Sequence, residues 1–213
     1  MSTGLTRLLS LPEPRRVIAG LLTGVVTSND DPQRLGRVQV HLPSIGDDIV
    51  TPWARIAAPM AGKQRGFYTL PEVGDEVLVG FEHGNPEFPY VLGALWNANA
   101  TPPETNQPSS NDHRSWTSRS GHVIRLDDTN GQERIQIIDK STNNSVVIST
   151  SDNTIQISAQ GDITIASSGG KVTIKATNVE ITASESMKLD AGSNVEVSAS
   201  GQTTIKGGQV AIN

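Results

Sequence analysis

The chain contains no cysteine, few aromatic residues and no long hydrophobic run. Without cysteine, no disulfide framework can form and thiol redox chemistry is excluded. The apolar stretches are far too short to span a membrane, and the N-terminus lacks the continuous apolar segment of a signal peptide. We therefore expect a protein that is synthesised and folded in the cytoplasm, with neither a signal peptide nor a transmembrane segment.

The sequence also lacks an excess of positive charge. Its 213 residues carry a net charge of −5 at pH 7, and the pI is about 5.3. Because proteins that bind nucleic acids usually present a basic face to the phosphates, we expect no nucleic-acid partner.

The chain beyond Trp116 lacks proline and aromatic residues. All 12 prolines lie at or before Pro108, and every aromatic residue lies between Trp53 and Trp116. Proline would remove a hydrogen bond from a β-ladder, and a thin rod has no room for an aromatic ring. The composition therefore predicts two parts with different architectures.

The second part contains a repeated couplet of two apolar positions separated by one residue. Successive couplets start 11, 9, 8, 9, 7, 8, 8, 8 and 7 residues apart. The couplets are Ile135/Ile137, Val146/Ile148, Ile155/Ile157, Ile163/Ile165, Val172/Ile174, Val179/Ile181, Met187/Leu189, Val195/Val197, Thr203/Ile205 and Val210/Ile212. Alternate side chains of a strand point to one face, so each couplet reads as a very short strand in a stack of similar units.

Two arrangements of these strands are possible. Eight residues suffice for one strand and one corner, so three chains that each give one strand per level would close a triangular prism with the couplets inside. The alternative is an antiparallel meander within one chain, which predicts tight hairpin turns. Single glycines such as Gly161, Gly192 and Gly201 suit corners better than two-residue hairpins. The repeat therefore favours an intertwined trimeric β-helix with the apolar couplet residues as its trimer core.

The first part reads as a small β-barrel. Strands are predicted at 20–28, 36–42, 51–58, 66–70, 75–82 and 90–96, separated by turns rich in Asn, Asp, Gly and Pro. The predicted organisation is an N-terminal arm (1–16), a barrel (17–97), a linker (98–119), and a hairpin followed by the β-helix (120–213). The hairpin has predicted strands at 122–126 and 134–138.

Several stretches of the barrel resemble a known family. They include Gly36-Arg37-Val38-Gln39-Val40, Trp53-Ala54-Arg55, Gly66-Phe67-Tyr68-Thr69-Leu70, Pro71-Glu72-Val73-Gly74-Asp75-Glu76-Val77 and Pro89-Tyr90-Val91-Leu92-Gly93. With the hairpin that starts at Ser120, they resemble phage baseplate assembly protein V and the spike part of the valine-glycine repeat proteins of type VI secretion. The resemblance covers about residues 17–213.

The resemblance implies an all-β protein with an oligonucleotide/oligosaccharide-binding (OB) barrel followed by a trimeric β-helix needle. It implies a homotrimeric central spike of a contractile injection system, which punctures the target envelope when the sheath contracts. The contact with the envelope is expected to be transient. No lysozyme-like domain fits in the short linker, so no cell-wall hydrolase is expected. Only some sixteen residues precede the barrel, which implies a separate hub protein in the baseplate. No histidine follows His122, so the iron-binding His-x-His of some phage spikes is missing, and a PAAR-like tip protein is expected at the C-terminal end.

The residues whose side chains could act in catalysis or bind a metal do not form a convincing site. The four histidines lie in four separate segments, and Glu82-His83 reads as a loop beside a barrel strand. The segment 127–133 lacks the ligand spacing of a calcium loop. The glycines of the repeat precede no helix and so do not form a phosphate-binding loop. We expect no catalytic, cofactor or metal site and no enzymatic activity. A trimeric tail fibre or adhesin that binds a surface glycan is the alternative function.

Overall fold

The computed structural model describes residues 17–107 and 109–211. The chain divides into one unit that ends at Ser158 and a second that begins at Ala159. The protein is all-β, as predicted, and the helical structure within the described residues is one turn of 3-10 helix, Glu82–Gly84. No helix in this part of the chain is both long and apolar enough to cross a bilayer.

Twelve strands form three sheets in the part of the first unit that the structure describes. They are β1 (Leu22–Ser28), β2 (Gln39–His41), β3 (Arg55–Ile56), β4 (Ala61–Gly62), β5 (Arg65–Gly66), β6 (Glu76–Phe81), β7 (Pro89–Leu95), β8 (His113–Thr117), β9 (Val123–Asp127), β10 (Arg134–Ile138), β11 (Ser145–Ser149) and β12 (Thr154–Ser158).

The first sheet is a curled barrel with strand order β2-β1-β6-β7-β3. Strand β3 pairs parallel with β7, and the other pairs are antiparallel. Val38 and Ala54, which precede the two end strands, exchange backbone hydrogen bonds of 3.0 and 2.7 Å. These bonds join the two ends of the strand order, and pairing of this kind leaves fewer unpaired edge groups.

Small branched side chains fill the barrel. The buried core consists of Val26, Val38, Val40, Leu42, Ala54, Val77, Val79 and Val91. In β6 the buried valines alternate with half-buried residues, as expected for a strand with one face turned inward. A core built mainly of valine lets the strands approach closely, which suits a narrow barrel.

One predicted barrel strand is wrong. Of the segment 66–70, only Gly66 belongs to a strand, and the chain instead forms the short hairpin β4–β5. Gly66 has φ +156°, and a Cβ there would lie 2.7 Å from the carbonyl oxygen of Met60. This close backbone approach ends the hairpin, and the last hydrogen bond runs from Phe67 N to Met60 O.

The second sheet is an antiparallel meander in the order β12-β11-β10-β9-β8. Strands β9 and β10 form the hairpin that the sequence indicated. Strand β8 lies inside the segment that was predicted to be linker. The first three couplets occupy β10, β11 and β12 and pair antiparallel with one another, so within one chain they follow the meander alternative.

The turns between β10, β11 and β12 contain no glycine, which explains why these strands form hairpins that the sequence did not indicate. Thr142 and Asn153 adopt positive φ values of 62° and 54° in the β10–β11 and β11–β12 turns. The carboxylate of Asp139 accepts hydrogen bonds from Ser141 Oγ and Asn144 N, which closes the first turn. The steps of 11 and 9 residues leave room for these turns, whereas most later steps are shorter.

The second unit has a different character. Residues 159–211 form no regular strand, and all of them are exposed within a single chain. One chain with two apolar side chains per couplet has nothing to bury them against. The trimeric β-helix over this region stays a prediction.

Candidate assembly interface

The meander presents one apolar face, formed by two rows of side chains that cross all five strands. Pairing register places these side chains opposite one another. One row consists of Trp116, Ile124, Ile137, Val146 and Ile157, and the other of Arg114, Leu126, Ile135, Ile148 and Ile155. We call these two rows the apolar face.

The apolar face is open in the single chain. Val146 is half-buried, and the other apolar members of the rows are 41–72% exposed. Contiguous apolar surface of this kind marks a site of association in soluble proteins. Cross-strand neighbours on one face of a sheet lie within contact distance of one another, so these exposed residues form one continuous surface.

The opposite face of the meander is largely polar, and its charged side chains are paired within the chain. Glu104, in the segment between barrel and meander, accepts a hydrogen bond of 3.0 Å from Arg125 Nη2 and lies 2.7 Å from His113 Nδ1. Hydrogen bonding from the Ser115 hydroxyl, with contributions from His113 and Arg125, lowers the pKa of Glu104. The connecting segment therefore covers charges that would otherwise need a partner.

A second carboxylate anchors the edge of this polar face. The side chain of Asp127 is almost fully buried and accepts hydrogen bonds from Thr129 Oγ1 at 2.6 Å and Arg134 Nε at 3.0 Å. These donors, Thr129 first, lower the pKa of Asp127. The charged groups of this face are thus paired inside the chain, whereas Gln136 Oε1 on the same face is buried without a hydrogen-bond partner. It is the apolar face that lacks a cover.

The structure places the predicted trimer-core residues in two groups. Six of them lie on the apolar face: Ile135, Ile137, Val146, Ile148, Ile155 and Ile157. The others that the structure describes lie in the second unit and are 50–76% exposed. These are Ile163, Ile165, Val172, Ile174, Val179, Ile181, Met187, Leu189, Val195, Val197, Ile205 and Val210. Ile212 and the predicted arm 1–16 lie outside the described residues.

Sequence reasoning missed the three apolar side chains that β8 and β9 contribute to the apolar face. Ile124 and Leu126 form a couplet of their own on β9, and Trp116 lies opposite Ile124 on β8. Ile124 precedes Ile135 by 11 residues, the same step that separates Ile135 from Val146. Extending the repeat backwards by one step would have found Ile124 and Leu126.

A groove on the barrel was the other candidate site. Arg37 lies 6.0 Å from the ring centroid of Trp53, and Arg55 lies 5.5 Å from that of Tyr90. The Tyr90 hydroxyl donates a 2.6 Å hydrogen bond to Glu82 Oε2, and this bond raises the pKa of Tyr90. Each ring thus has a guanidinium over it, and Glu82 is engaged with tyrosine rather than with His83. Among the residues that the structure describes, no three His, Asp or Glu side chains come together to hold a metal ion.

Asp31 organises the loop that positions Arg37 in this groove. It is buried and accepts hydrogen bonds from the backbone N–H of Gln33 and Leu35 and from two nitrogens of Arg37. The Arg37 guanidinium, assisted by those backbone donors, holds the pKa of Asp31 well below its ordinary value.

The depressed pKa of Asp31 predicts acid-dependent stability of the barrel. A carboxylate with a lowered folded-state pKa stabilises the fold above its unfolded pKa of about 4, and this contribution is lost as the pH falls further. We expect Asp31→Asn to lower the urea midpoint at pH 7 and to differ less from the parent chain at pH 3. Asp30→Asn, at the exposed neighbouring position, is the control and should behave like the parent. An equal deficit for Asp31→Asn at both pH values would contradict this account.

Comparison with known proteins gives a consistent result. Residues 22–96 match the model of the type VI secretion system/phage-baseplate injector OB domain. Over 138 residues, 59% of the chain, the protein is 35% identical to the type VI secretion system spike protein VgrG5 of Pseudomonas aeruginosa. It is 34% identical over 141 residues, 60% of the chain, to the spike protein VgrG4b of the same organism. It is also 32% identical over 102 residues, 44% of the chain, to the actin cross-linking toxin VgrG1 of Vibrio cholerae.

The chain spans a small part of these relatives. The matches cover 18% of VgrG5, 17% of VgrG4b and 9% of VgrG1. The matched stretches of the two Pseudomonas proteins are longer than the OB domain alone.

Proposed function

We propose that the chain, which is similar to the VgrG spike proteins and carries the injector OB domain at residues 22–96, is the homotrimeric central spike of a contractile injection system. The spike joins the hub and inner tube to the tip and punctures the target envelope when the sheath contracts. The observation that carries this proposal is the open apolar face together with the unpartnered couplets that follow it.

Three copies satisfy these surfaces in a way that one copy does not. Three apolar faces around a common axis bury the two rows against one another, and three chains supply the strands that close each level of the prism. Burial of a Val, Leu or Ile side chain contributes roughly 1.5–3 kcal/mol before the entropy of ordering is subtracted. With dozens of such side chains in the trimer, the assembly is expected to be very stable.

The same arrangement suits the transmission of axial force. Interwoven chains cannot separate without breaking ladder hydrogen bonds at every level. With a strand spacing of about 4.8 Å, the seven couplets that follow β12 give a rod roughly 34 Å long. The outward positions between the couplets are mostly Ser, Thr, Asn, Gln and Ala, which leaves a smooth exterior.

The proposed partners follow from this role. A separate hub protein of the baseplate binds the barrel end, and a PAAR-like protein covers the strand ends at the tip, where unpaired edges would otherwise be exposed. The target envelope is contacted transiently. The spike acts without catalysis, and its work is mechanical.

The first test is the mass of the purified protein by light scattering, before and after mild heating in detergent. A trimer near three times 22.6 kDa that survives heating is expected. A monomer in both conditions would remove the basis for the interwoven needle.

A glycan-binding tail fibre is the second candidate, because the barrel groove contains Trp53 and Tyr90. Sugars stack on open aromatic faces, whereas an arginine lies over each of these rings. We expect no binding on a glycan array. Binding that is lost in Trp53→Ala would favour the fibre function instead.

A further inference from the structure

A loop of the barrel extends the apolar face of the meander. The ring centroid of Phe67 lies 5.3 Å from that of Trp116, with the planes tilted by 35°. Trp116 is the β8 member of the row that continues through Ile124 and Ile137. A second contact joins the same two regions, since Arg119 Nη1 lies 3.2 Å from Glu72 Oε2.

The residues beside Phe67 are strongly exposed and apolar. We call residues 60–68, which contain the β4–β5 hairpin, the barrel loop. Met60 is 55% exposed, Phe67 46% and Tyr68 78%. The backbone N–H of Phe67 donates to the Met60 carbonyl at 2.9 Å, which holds these residues together at the base of the loop.

These side chains surround a groove rather than filling it. Leu35, Ile56 and Leu70 line a depression of about 520 Å³ together with Met60, Phe67 and Tyr68. The ring of Tyr68 lies near Gly36, where an added Cβ would be 3.8 Å from Tyr68 Cε2. The single chain thus leaves a mainly apolar depression, to which Gln64, Arg65 and Thr69 also contribute, open directly beside the stacked Phe67.

We propose that the occupant of this surface is a second copy of the chain, so that the barrel loop forms the upper part of the trimer interface. This inference rests on the proposed trimer. Because Phe67 stacks on a member of the apolar row, any copy that covers the row reaches the edge of the barrel loop. Continuity of the two surfaces favours another copy over an unrelated protein, which would have to compete for the same edge. The trimer is then held together at the barrel as well as along the needle.

The absence of native cysteine allows a direct test by thiol labelling. Tyr68→Cys in the assembled protein should react with a maleimide reagent at least about tenfold more slowly than Asp48→Cys, since a packed interface excludes the reagent. Asp48 is exposed and lies in the β2–β3 connection, towards the other end of β2 from Gly36. Adding Ile137→Asp, which disrupts the apolar face, should restore fast labelling of the thiol introduced by Tyr68→Cys.

The outcomes separate this inference from the proposed function. A trimer in which the Tyr68→Cys variant reacts as fast as the Asp48→Cys variant overturns the barrel-loop contact and leaves the spike trimer intact. A monomeric parent chain, identified by light scattering, overturns both.

A second measurement avoids substitutions in the loop. Hydroxyl-radical footprinting compares oxidation of Met60 and Tyr68 in the parent trimer with oxidation in Ile137→Asp. Protection of both residues in the parent supports the contact even if Tyr68→Cys weakens assembly. Equal oxidation in trimer and disassembled chain contradicts it.

Discussion

Replacement of Ile174 by aspartate is expected to prevent assembly of the heat-resistant trimer. In the proposed prism, the three copies of residue 174 meet at one level of the core, so the change would bring three carboxylates together inside an apolar rod. Unpaired buried charge costs several kcal/mol per ion, and like charges at close range add to this. Light scattering before and after heating in detergent measures the effect.

The matched control for this change is Thr173→Asp. Thr173 lies between the two couplet members Val172 and Ile174, so its side chain points outward from the proposed prism. The same charge at the neighbouring position should leave trimer mass and heat resistance unchanged. Normal trimers from Ile174→Asp would rule out the proposed packing, and disruption by both variants would mean that the couplets do not define an inside and an outside.

Replacement of Gly24 by alanine is expected to destabilise the barrel strongly. Gly24 lies on β1, and a Cβ there would be 2.6 Å from the His41 carbonyl oxygen and 2.9 Å from Leu42 Cδ2 and would overlap the Val40 side chain. One of these atoms belongs to the backbone of β2, so the strands must move apart to admit a methyl group. Overpacking of this kind costs about 1–3 kcal/mol, and we expect a loss of at least about 2 kcal/mol. Urea unfolding followed by tryptophan fluorescence measures the loss.

Gly93→Ala provides the matched control for Gly24→Ala. Gly93 lies on β7 of the same sheet, and a Cβ there would have no neighbour within 4 Å. The same added methyl group should therefore leave stability unchanged or raise it slightly, since alanine restricts the unfolded chain. If both variants lost the same stability, the cause would be the general effect of replacing glycine in a strand and not the close approach of β1 to β2.

The sequence predicted most of the barrel because its strands carry local signals. Valines alternate along β6, and Asn, Asp, Gly and Pro mark the turns around it. The failure at 66–70 has a tertiary cause, because Gly66 adopts its backbone conformation to pass close to Met60 O. A pattern of side chains carries little information about such a backbone contact.

The apolar face was only partly predicted, because tertiary structure also decides how its strands pair. The couplets identified Ile135, Ile137 and their successors, yet the same period is compatible with pairing inside one chain or between chains. The structure shows that β10, β11 and β12 pair within one chain. Thr142 and Asn153 form the turns between them, where the sequence has no glycine to indicate a turn. The Trp116–Phe67 stack joins residues 49 positions apart, and residue spacing gives no signal for it.

By itself, the sequence determined the all-β class, the change in composition after Trp116, and the apolar positions of the repeat. These follow from local alternation and composition, which act over a few residues. Only the tertiary structure decided that the polar face of the meander is closed by Glu104 and Asp127 while the opposite face stays open. That outcome depends on contacts between distant segments, and the proposed trimer rests on this unequal cover of the two faces.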